Sequence, residues 1–411
     1  MTNIEAFRNH EALERFELER DREIERKLVP YDPAEFEHYK ESAVPIEQVY
    51  LSTPGEECSL RVREVATPED LRYSATLKAD RQDSEQGVDR LEIETDALTP
   101  EAYQYFAANP ALPRVKKLRA TVQPGITIDW IEGIESPLIE IEQHELTEES
   151  RNLARLVEHR SMDVSDEPSW DNAEIAYQLY DMEAREMPEL DPSEIADGLV
   201  ADLRTGRKVA IATISGMSGS GKSTAARQVA EILSARYPDL PAPLVLSTDD
   251  YHVGKTYLEQ TYGAPWTNWD AAEVYDTAKL ADDLEALRNG AETIQLRHFD
   301  FATQEPVLDG EAPASPFVIV EGVRATSDDL EGVRTRHYQL PTPVATCLLR
   351  DVRRVHERPS ASIGTAEQRL AYALNVAVPE YERQVQPPRE RFSASARPIG
   401  SAALEWLKRT L

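Results

Sequence analysis

The sequence predicts two unlike units in series: an α+β antiparallel eight-stranded barrel, then an α/β domain with a mainly parallel sheet. Three observations predict this. A chain of 411 residues is too long for one compact core. Between Glu23 and about Leu146 apolar residues recur with period two in short segments. From Val209 onwards apolar strands alternate with helical stretches, as in a parallel sheet with crossover helices.

Residues 1 to about 22 are dense in charge, with helical spacing and few apolar anchors, which predicts a solvated leading helix. Strands are then expected near 23–29, 47–52, 59–65, 73–79, 90–94, 115–122, 126–131 and 138–146. Thr99 as N-cap with Pro100 at the first helical position opens a helix among them. Helical patterns follow near 148–159 and 171–185. The stretch 186–191 reads as linker, which divides the chain into 1–180, an interval 181–191, and 192–411. Asp191, Pro192 and Glu194 start the next helix.

With 75 acidic against 45 basic residues the formal net charge is -30, so the overall field repels nucleic acid and anionic membrane. Neither is expected as a partner, and an anionic ligand must meet a local basic pocket. The two cysteines, Cys58 and Cys347, lie far apart without CxxC spacing, which supports neither a disulfide framework nor a zinc ribbon. No run of ~18 apolar residues occurs, and the N-terminus is acidic. The expectation is a soluble, cytoplasmic protein, with an oligomer left open.

The apolar strand 209–214 runs into Gly216-Met-Ser218-Gly219-Ser220-Gly221-Lys222-Ser223-Thr224 and then a helix, which is GxxxxGKS in its strand, loop and helix context. Glycines let successive N–H groups turn toward phosphates, Lys222 reaches the β and γ oxygens, and Ser223 can hold Mg²⁺. ATP or GTP is the expected ligand. The next strand, 244–247, ends in Thr248-Asp249-Asp250-Tyr251-His252, where a carboxylate can deprotonate an acceptor hydroxyl. A later strand, 317–320, delivers Glu321, suited to Mg²⁺ or its waters. Asp250 as a helix cap and Glu321 as an ion-pair partner are the structural alternatives.

These segments, with Asn268-Trp269-Asp270, Asp276, Phe299-Asp300-Phe301 and Val320-Glu321-Gly322, resemble in order the uridine kinase and phosphoribulokinase family over about 190 residues. The resemblance implies that Asp249 is the catalytic carboxylate, that Asp270 contacts ribose hydroxyls, and that Trp269 and Phe299 wall a base. Arg350, Arg353, Arg354 and Arg358 share one helical face and resemble the family's lid, where arginines clamp phosphate; a solvated basic face is the alternative. The pyrimidine-nucleoside kinases usually carry a His where this chain has Gln304, a departure that bears on base identity.

In the first half, strand alternation gathers charge. Glu23, Glu25 and Lys27 share a face, as do Arg61 with Arg63, Arg90 with Glu92 and Glu94, Lys117 with Arg119, and Glu140 with Glu142; Lys78 and Asp129 stand alone. Such faces occur on solvent-facing sheets. They also suit a closed barrel with a wet interior, where basic groups meet phosphate oxygens and carboxylates hold hard cations. The ordered pattern, with the tail Asp163 to Ala173, resembles the CYTH family of triphosphate tunnel metalloenzymes over about residues 20–178. The resemblance implies metal-dependent hydrolysis of an inorganic or organic polyphosphate. Glu23 and Glu25, with Asp129, Glu140 and Glu142, would hold Mg²⁺ or Mn²⁺, and Lys27, Arg61, Arg63, Lys78, Lys117 and Arg119 the phosphates.

The expectation is a bifunctional enzyme, in which a tunnel phosphohydrolase precedes a kinase acting on a nucleoside-like hydroxyl, uridine first among candidates. Two rivals stay open: a tunnel that senses polyphosphate without turning it over, and a regulatory ATPase with no acceptor.

Overall fold

The computed structural model describes residues 22–84, 87–184, 190–357 and 364–385. The leading helix expected over residues 1–22 lies outside them except Arg22, which already belongs to the first strand; 185–189 of the linker and Arg358 lie outside as well.

Eight strands form the first unit: β1 (Arg22–Pro30), β2 (Val44–Tyr50), β3 (Cys58–Ala66), β4 (Leu71–Ser84), β5 (Gly87–Thr95), β6 (Arg114–Gln123), β7 (Ile126–Ile131) and β8 (Leu138–Glu142). Their order is β5-β4-β3-β2-β6-β7-β8-β1, and pairing of β1 with β5 closes the ring, all neighbours antiparallel. β1 changes partner along its length, meeting β5 over 22–25, β8 over 25–28 and a ninth strand, β9 (Ser161–Asp163), over 28–30. Three residues carry no periodic signal, so β9 was not legible in the sequence.

The alternation is inverted relative to an ordinary barrel. Along β3, Leu60 and Val62 are fully buried on the outer face, while Arg61 and Arg63 point into the lumen. Helices α1 (Pro100–Ala107) and α2 (Glu148–His159) cover parts of the outside, whereas α3 (Asn172–Leu179) packs against the inward-facing Tyr50, Val115, Ile131 and Leu138 and lines the lumen with Asn172, Glu174 and Tyr177. Thr99 caps α1 through the Ala102 amide, with Pro100 at its start, as the sequence predicts.

The second unit is a four-stranded parallel sheet, β10 (Ala210–Ser215), β11 (Leu244–Ser247), β14 (Phe317–Gly322) and β15 (Arg336–Gln339), in the order β11-β14-β10-β15. An antiparallel hairpin, β12 (Thr293–Asp300) with β13 (Glu305–Pro313), stands beside it. β10 and β14 are buried at every position, because helices flank a parallel sheet on both faces. The helices are α4 (Pro192–Arg204), α5 (Lys222–Arg236), α6 (Lys255–Tyr262), α7 (Thr277–Arg288), α8 (Val344–Glu357), α9 (Ala366–Tyr372) and α10 (Val378–Gln384). A π-helical stretch, Ala373–Ala377, joins the last two.

The two units share a core. Val49, Leu60, Val62, Leu77 and Ile93 of the barrel pack with Cys347, Leu348, Val352, Leu370 and Leu374 of α8, α9 and the π-helical stretch. Burying a leucine as completely as Leu60, Leu77 and Leu370 contributes roughly 1.5–3 kcal/mol each. Polar clips surround this core: Asn375 accepts from the Thr99 amide at 2.9 Å and donates to the Ala97 carbonyl at 2.8 Å. Thr346 Oγ1 donates to Glu56 Oε2 at 3.1 Å.

Candidate active sites

The barrel lumen is a cavity of about 280 Å³. Lys27, Arg61, Arg63, Lys78, Arg81, Arg90 and Arg119 line it, together with Glu25, Glu56, Glu57, Glu92, Glu94, Glu140, Glu142, Asp171 and Glu174. Every basic residue singled out from the strand pattern lines it except Lys117, and among the carboxylates Asp129 does not; both lie on the lumen face of their strands but are buried. Both oxygens of Asp129 are engaged, by Lys117 Nζ at 2.6 Å and by Arg119 through Nε at 2.7 Å and Nη2 at 2.6 Å. The side chain of Glu23 lies outside the described residues.

Buried charges persist most readily when paired, and most lumen charges are. Arg90 Nη2 donates to Glu25 Oε2 at 2.5 Å, Lys78 meets Glu92 at 3.0 Å, and Arg63 meets Glu94 at 2.6 Å. Lys27 pairs with Asp171, which also accepts from Arg81 at 2.5 Å. Arg119 donates to Glu140, and Asn172 Nδ2 reaches the other Glu140 oxygen at 2.9 Å. Burial works to raise the Glu140 carboxyl, but Arg119, Lys117 and Lys27 outweigh it and hold the group at about 2. Burial, with repulsion from Arg119, brings Lys117 down to about 8.

Two features fit the lumen to phosphate and metal. The Nε atoms of Arg61 and Arg63 are buried and have no hydrogen-bond partner, and burial together with repulsion from Arg61 pushes the Arg63 guanidinium down. An anion between them would satisfy both. Glu25 stands directly opposite Glu142 on the β1–β8 ladder, a like-charge pair that a hard cation would relieve. Among the described residues no group of three or more His, Cys, Asp or Glu is preformed for a metal ion, so Glu25, Glu140 and Glu142 would have to turn toward one. Sequence reasoning passed over Arg81, Arg90 and Asp171 as ligands; Asp171 and Asn172 lie in the quoted tail, and Arg90 in the strand alternation.

In the second unit β10 ends at the phosphate loop and α5 begins on Lys222. Gly219 takes φ 79°, and a Cβ there would lie 2.2 Å from the Cys347 carbonyl oxygen, so the loop rests directly on α8. Lys222 Nζ donates to the Met217 carbonyl at 2.9 Å. Ser223 Oγ donates to Glu321 Oε1 at 3.0 Å. Parallel registration sets Glu321 beside both Ile214 and Ser247, so β14 carries it to the mouth of the loop. Burial raises the Glu321 carboxyl against the opposing charge of Lys222. A hydroxyl and a carboxylate converging on one point suit Mg²⁺. Asp249 is the second residue of the 3-10 turn Thr248–Tyr251 after β11, its amide donating to Ser247 Oγ at 3.2 Å.

The acceptor side is aromatic. Trp269 and Phe299 have ring centroids 5.9 Å apart. His252 packs among them: its ring lies 6.3 Å from Trp269 in a stacked geometry and 4.5 Å from both Phe299 and Tyr275, edge-on. Only 7% of His252 is exposed, neither ring nitrogen has a hydrogen-bond partner, and burial lowers its pKa. It follows Asp249 by three residues in the quoted motif, the one signal that could have singled it out. Asp270 is engaged by Tyr372, whose hydroxyl donates to Oδ2 at 2.7 Å, and burial raises its carboxyl. Gln304 sits in the β12–β13 turn with φ 59°, its carbonyl accepting from the Lys255 amide at 2.9 Å.

The predicted arginine face divides. Arg350 Nη1 approaches the Gly219 carbonyl at 3.5 Å, whereas Arg353 turns to the barrel, meeting Asp80 at 2.6 Å and Glu57 at 3.6 Å. Arg354 lies 3.7 Å from Asp351. Positions i, i+3 and i+4 span an arc of ~100°, wide enough for its edges to face different neighbours.

No protein-family model and no curated protein matches the chain. Among solved structures, a provisionally named fructose transport system kinase from Silicibacter sp. TM1040 is 22% identical with a TM-score of 0.40, over 47% of this chain and 94% of its own. A possible uridine kinase from Bacillus stearothermophilus is 15% identical with a TM-score of 0.33, over 49% and 98%. An inorganic triphosphatase is 27% identical with a TM-score of 0.23, over 38% and 93%. Among the described residues no helix is long and apolar enough to cross a membrane.

Proposed function

We propose that the chain is a bifunctional enzyme. Its second unit would transfer the γ-phosphoryl group of ATP or GTP to a hydroxyl of a nucleoside-like acceptor, uridine being the leading candidate. Its barrel would hydrolyse a phosphoanhydride of triphosphate or pyrophosphate with Mg²⁺ or Mn²⁺.

The observation that carries the kinase reading is the convergence of Lys222, Ser223 and Glu321 at the end of the parallel sheet, with Asp249 on the neighbouring strand end. In that arrangement Lys222 neutralises phosphate charge, and Ser223 and Glu321 would hold the metal ion, which supplies electrostatic stabilisation of the transferring group. Asp249 takes the acceptor proton as the hydroxyl attacks. Trp269, Phe299 and His252 enclose a ring, and Asp270 offers a carboxylate to vicinal hydroxyls. Transfer of labelled phosphate from ATP to a panel of nucleosides, sugar phosphates and pantothenate tests this reading. Transfer to a sugar phosphate or pantothenate with every nucleoside inert would refute the acceptor assignment.

For the barrel, Arg61, Arg63, Arg119 and Lys78 would grip the phosphates. Nine carboxylates against seven basic groups make the wall net negative, so a polyphosphate would enter with compensating cations. Glu25, Glu140 and Glu142 would hold such a cation, whose chemistry there would be to activate water against the anhydride. The sensor alternative gains support from the carboxylates' present engagement with arginines and lysines, and release of phosphate decides between them.

A further inference from the structure

Asp351 on α8 is 5% exposed and faces the phosphate loop. A carboxylate in that position repels a triphosphate, so its presence needs a reason other than charge. Its two oxygens point to different elements. Oδ1 accepts from Ser218 Oγ, in the phosphate loop, at 3.1 Å; Oδ2 accepts from Arg369 Nε, on α9, at 2.6 Å. The Arg369 guanidinium lies 5.8 Å from the centroid of the Tyr372 ring. The Tyr372 hydroxyl in turn donates to Asp270 Oδ2 at 2.7 Å and accepts from the Trp269 amide at 3.1 Å. A continuous line of contacts thus runs from the phosphate loop to the carboxylate of the acceptor pocket, and Asp351 is where the two ends meet.

We infer that Asp351 is a positioning residue that couples the phosphate loop to the acceptor pocket, through Ser218 on one side and Arg369 with Tyr372 on the other. The inference rests on the phosphoryl-transfer reading above. Its physical basis is the seating of Gly219 against the Cys347 carbonyl oxygen, so close that no side chain would fit between the loop and α8. The loop's amides serve only if they stay aligned with phosphate oxygens, and misplacement by about 1 Å can cost 10²-fold. Arg369 fixes α8 to α9, and Tyr372 fixes α9 to the Trp269–Asp270 segment. Filling either pocket therefore biases the other, and the effect is reciprocal.

The test measures binding of adenylyl imidodiphosphate with Mg²⁺ to the full chain by calorimetry, well below the melting temperature. Neither Asp351 nor Arg369 needs to touch the nucleotide for the effect. Asp351→Asn and Arg369→Gln should each weaken binding by about fivefold or more. The double variant should be little worse than the weaker single, because both break one linkage. Arg369→Lys should recover most of the loss, and Tyr372→Phe should show a smaller loss in the same direction. A simple α8–α9 staple predicts a lower thermal midpoint with unaltered affinity. Wild-type affinity in both Asp351→Asn and Arg369→Gln overturns the inference alone, and if Asp351→Asn does not fold, Arg369→Gln and Tyr372→Phe decide it. Failure of the wild-type chain to bind the analogue overturns the kinase reading and this inference together.

Discussion

Ser223 Oγ and Glu321 Oε1 lie 3.0 Å apart, one at the start of α5 and the other at the end of β14, so that two separate elements converge on one metal-sized position. Glu321→Gln keeps the shape and removes the charge. It should raise the Mg²⁺ concentration needed for half-maximal phosphoryl transfer by about 10- to 100-fold, measured by titrating Mg²⁺ at fixed ATP. An unchanged Mg²⁺ requirement would show that Glu321 has no part in holding the ion.

Asp249→Asn should lower turnover by ~10²- to 10⁴-fold while leaving nucleotide affinity near wild type, since a general base acts on the acceptor proton. Turnover of a validated acceptor at the wild-type rate would remove Asp249 as the base.

Arg353→Ala should leave nucleotide affinity within about twofold, because Arg353 pairs with Asp80 and Glu57 of the barrel instead of reaching the phosphate loop. These groups are partly exposed, so the loss of stability should be at most about 1 kcal/mol. A tenfold weaker nucleotide complex would restore Arg353 to the phosphate clamp that the helical spacing suggested.

Much of this was legible in the sequence, for identifiable reasons. Period-two alternation located all eight barrel strands, most of them because an apolar outer face alternates with a charged lumen face; Arg61 and Arg63 between Leu60 and Val62 show the pattern most plainly, whereas β2 turns the uncharged Gln48 and Tyr50 inward. The phosphate loop announced itself because its glycines, Lys222 and Ser223 are contiguous. Residues whose roles arise only in three dimensions escaped. Asp171 reaches Lys27 across 144 positions, and Tyr372 reaches Asp270 across 102. The shared core escaped for the same reason: Leu348 and Leu370 read as the buried side of ordinary helices, and nothing local says that a barrel wall is the surface they cover. The pairing of Arg353 with Asp80 and Glu57 escaped because helical spacing gives an arc, and an arc does not say which neighbour each edge meets.

The acid limb of stability has a definite sign. Glu140 is held at about 2 in the folded chain, below its ordinary value near 4.3. A depressed carboxyl contributes stability above the unfolded pKa and loses it as pH falls toward the folded one. Urea midpoints should therefore drop between about pH 5 and pH 2, and the drop should be shallower in Glu140→Gln. Equal slopes in the two proteins would contradict this assignment.

The central claim is that two separate chemistries operate in one chain, and the most direct measurement is phosphate release from tripolyphosphate by the full chain carrying Lys222→Ala, with Mg²⁺ or Mn²⁺ supplied. This variant disables the phosphate loop and leaves the lumen intact. Release should proceed at the wild-type rate and be lost when Arg61→Ala and Arg63→Ala are added. Tight binding of tripolyphosphate with either metal present and no phosphate released would contradict it and make the barrel a sensor.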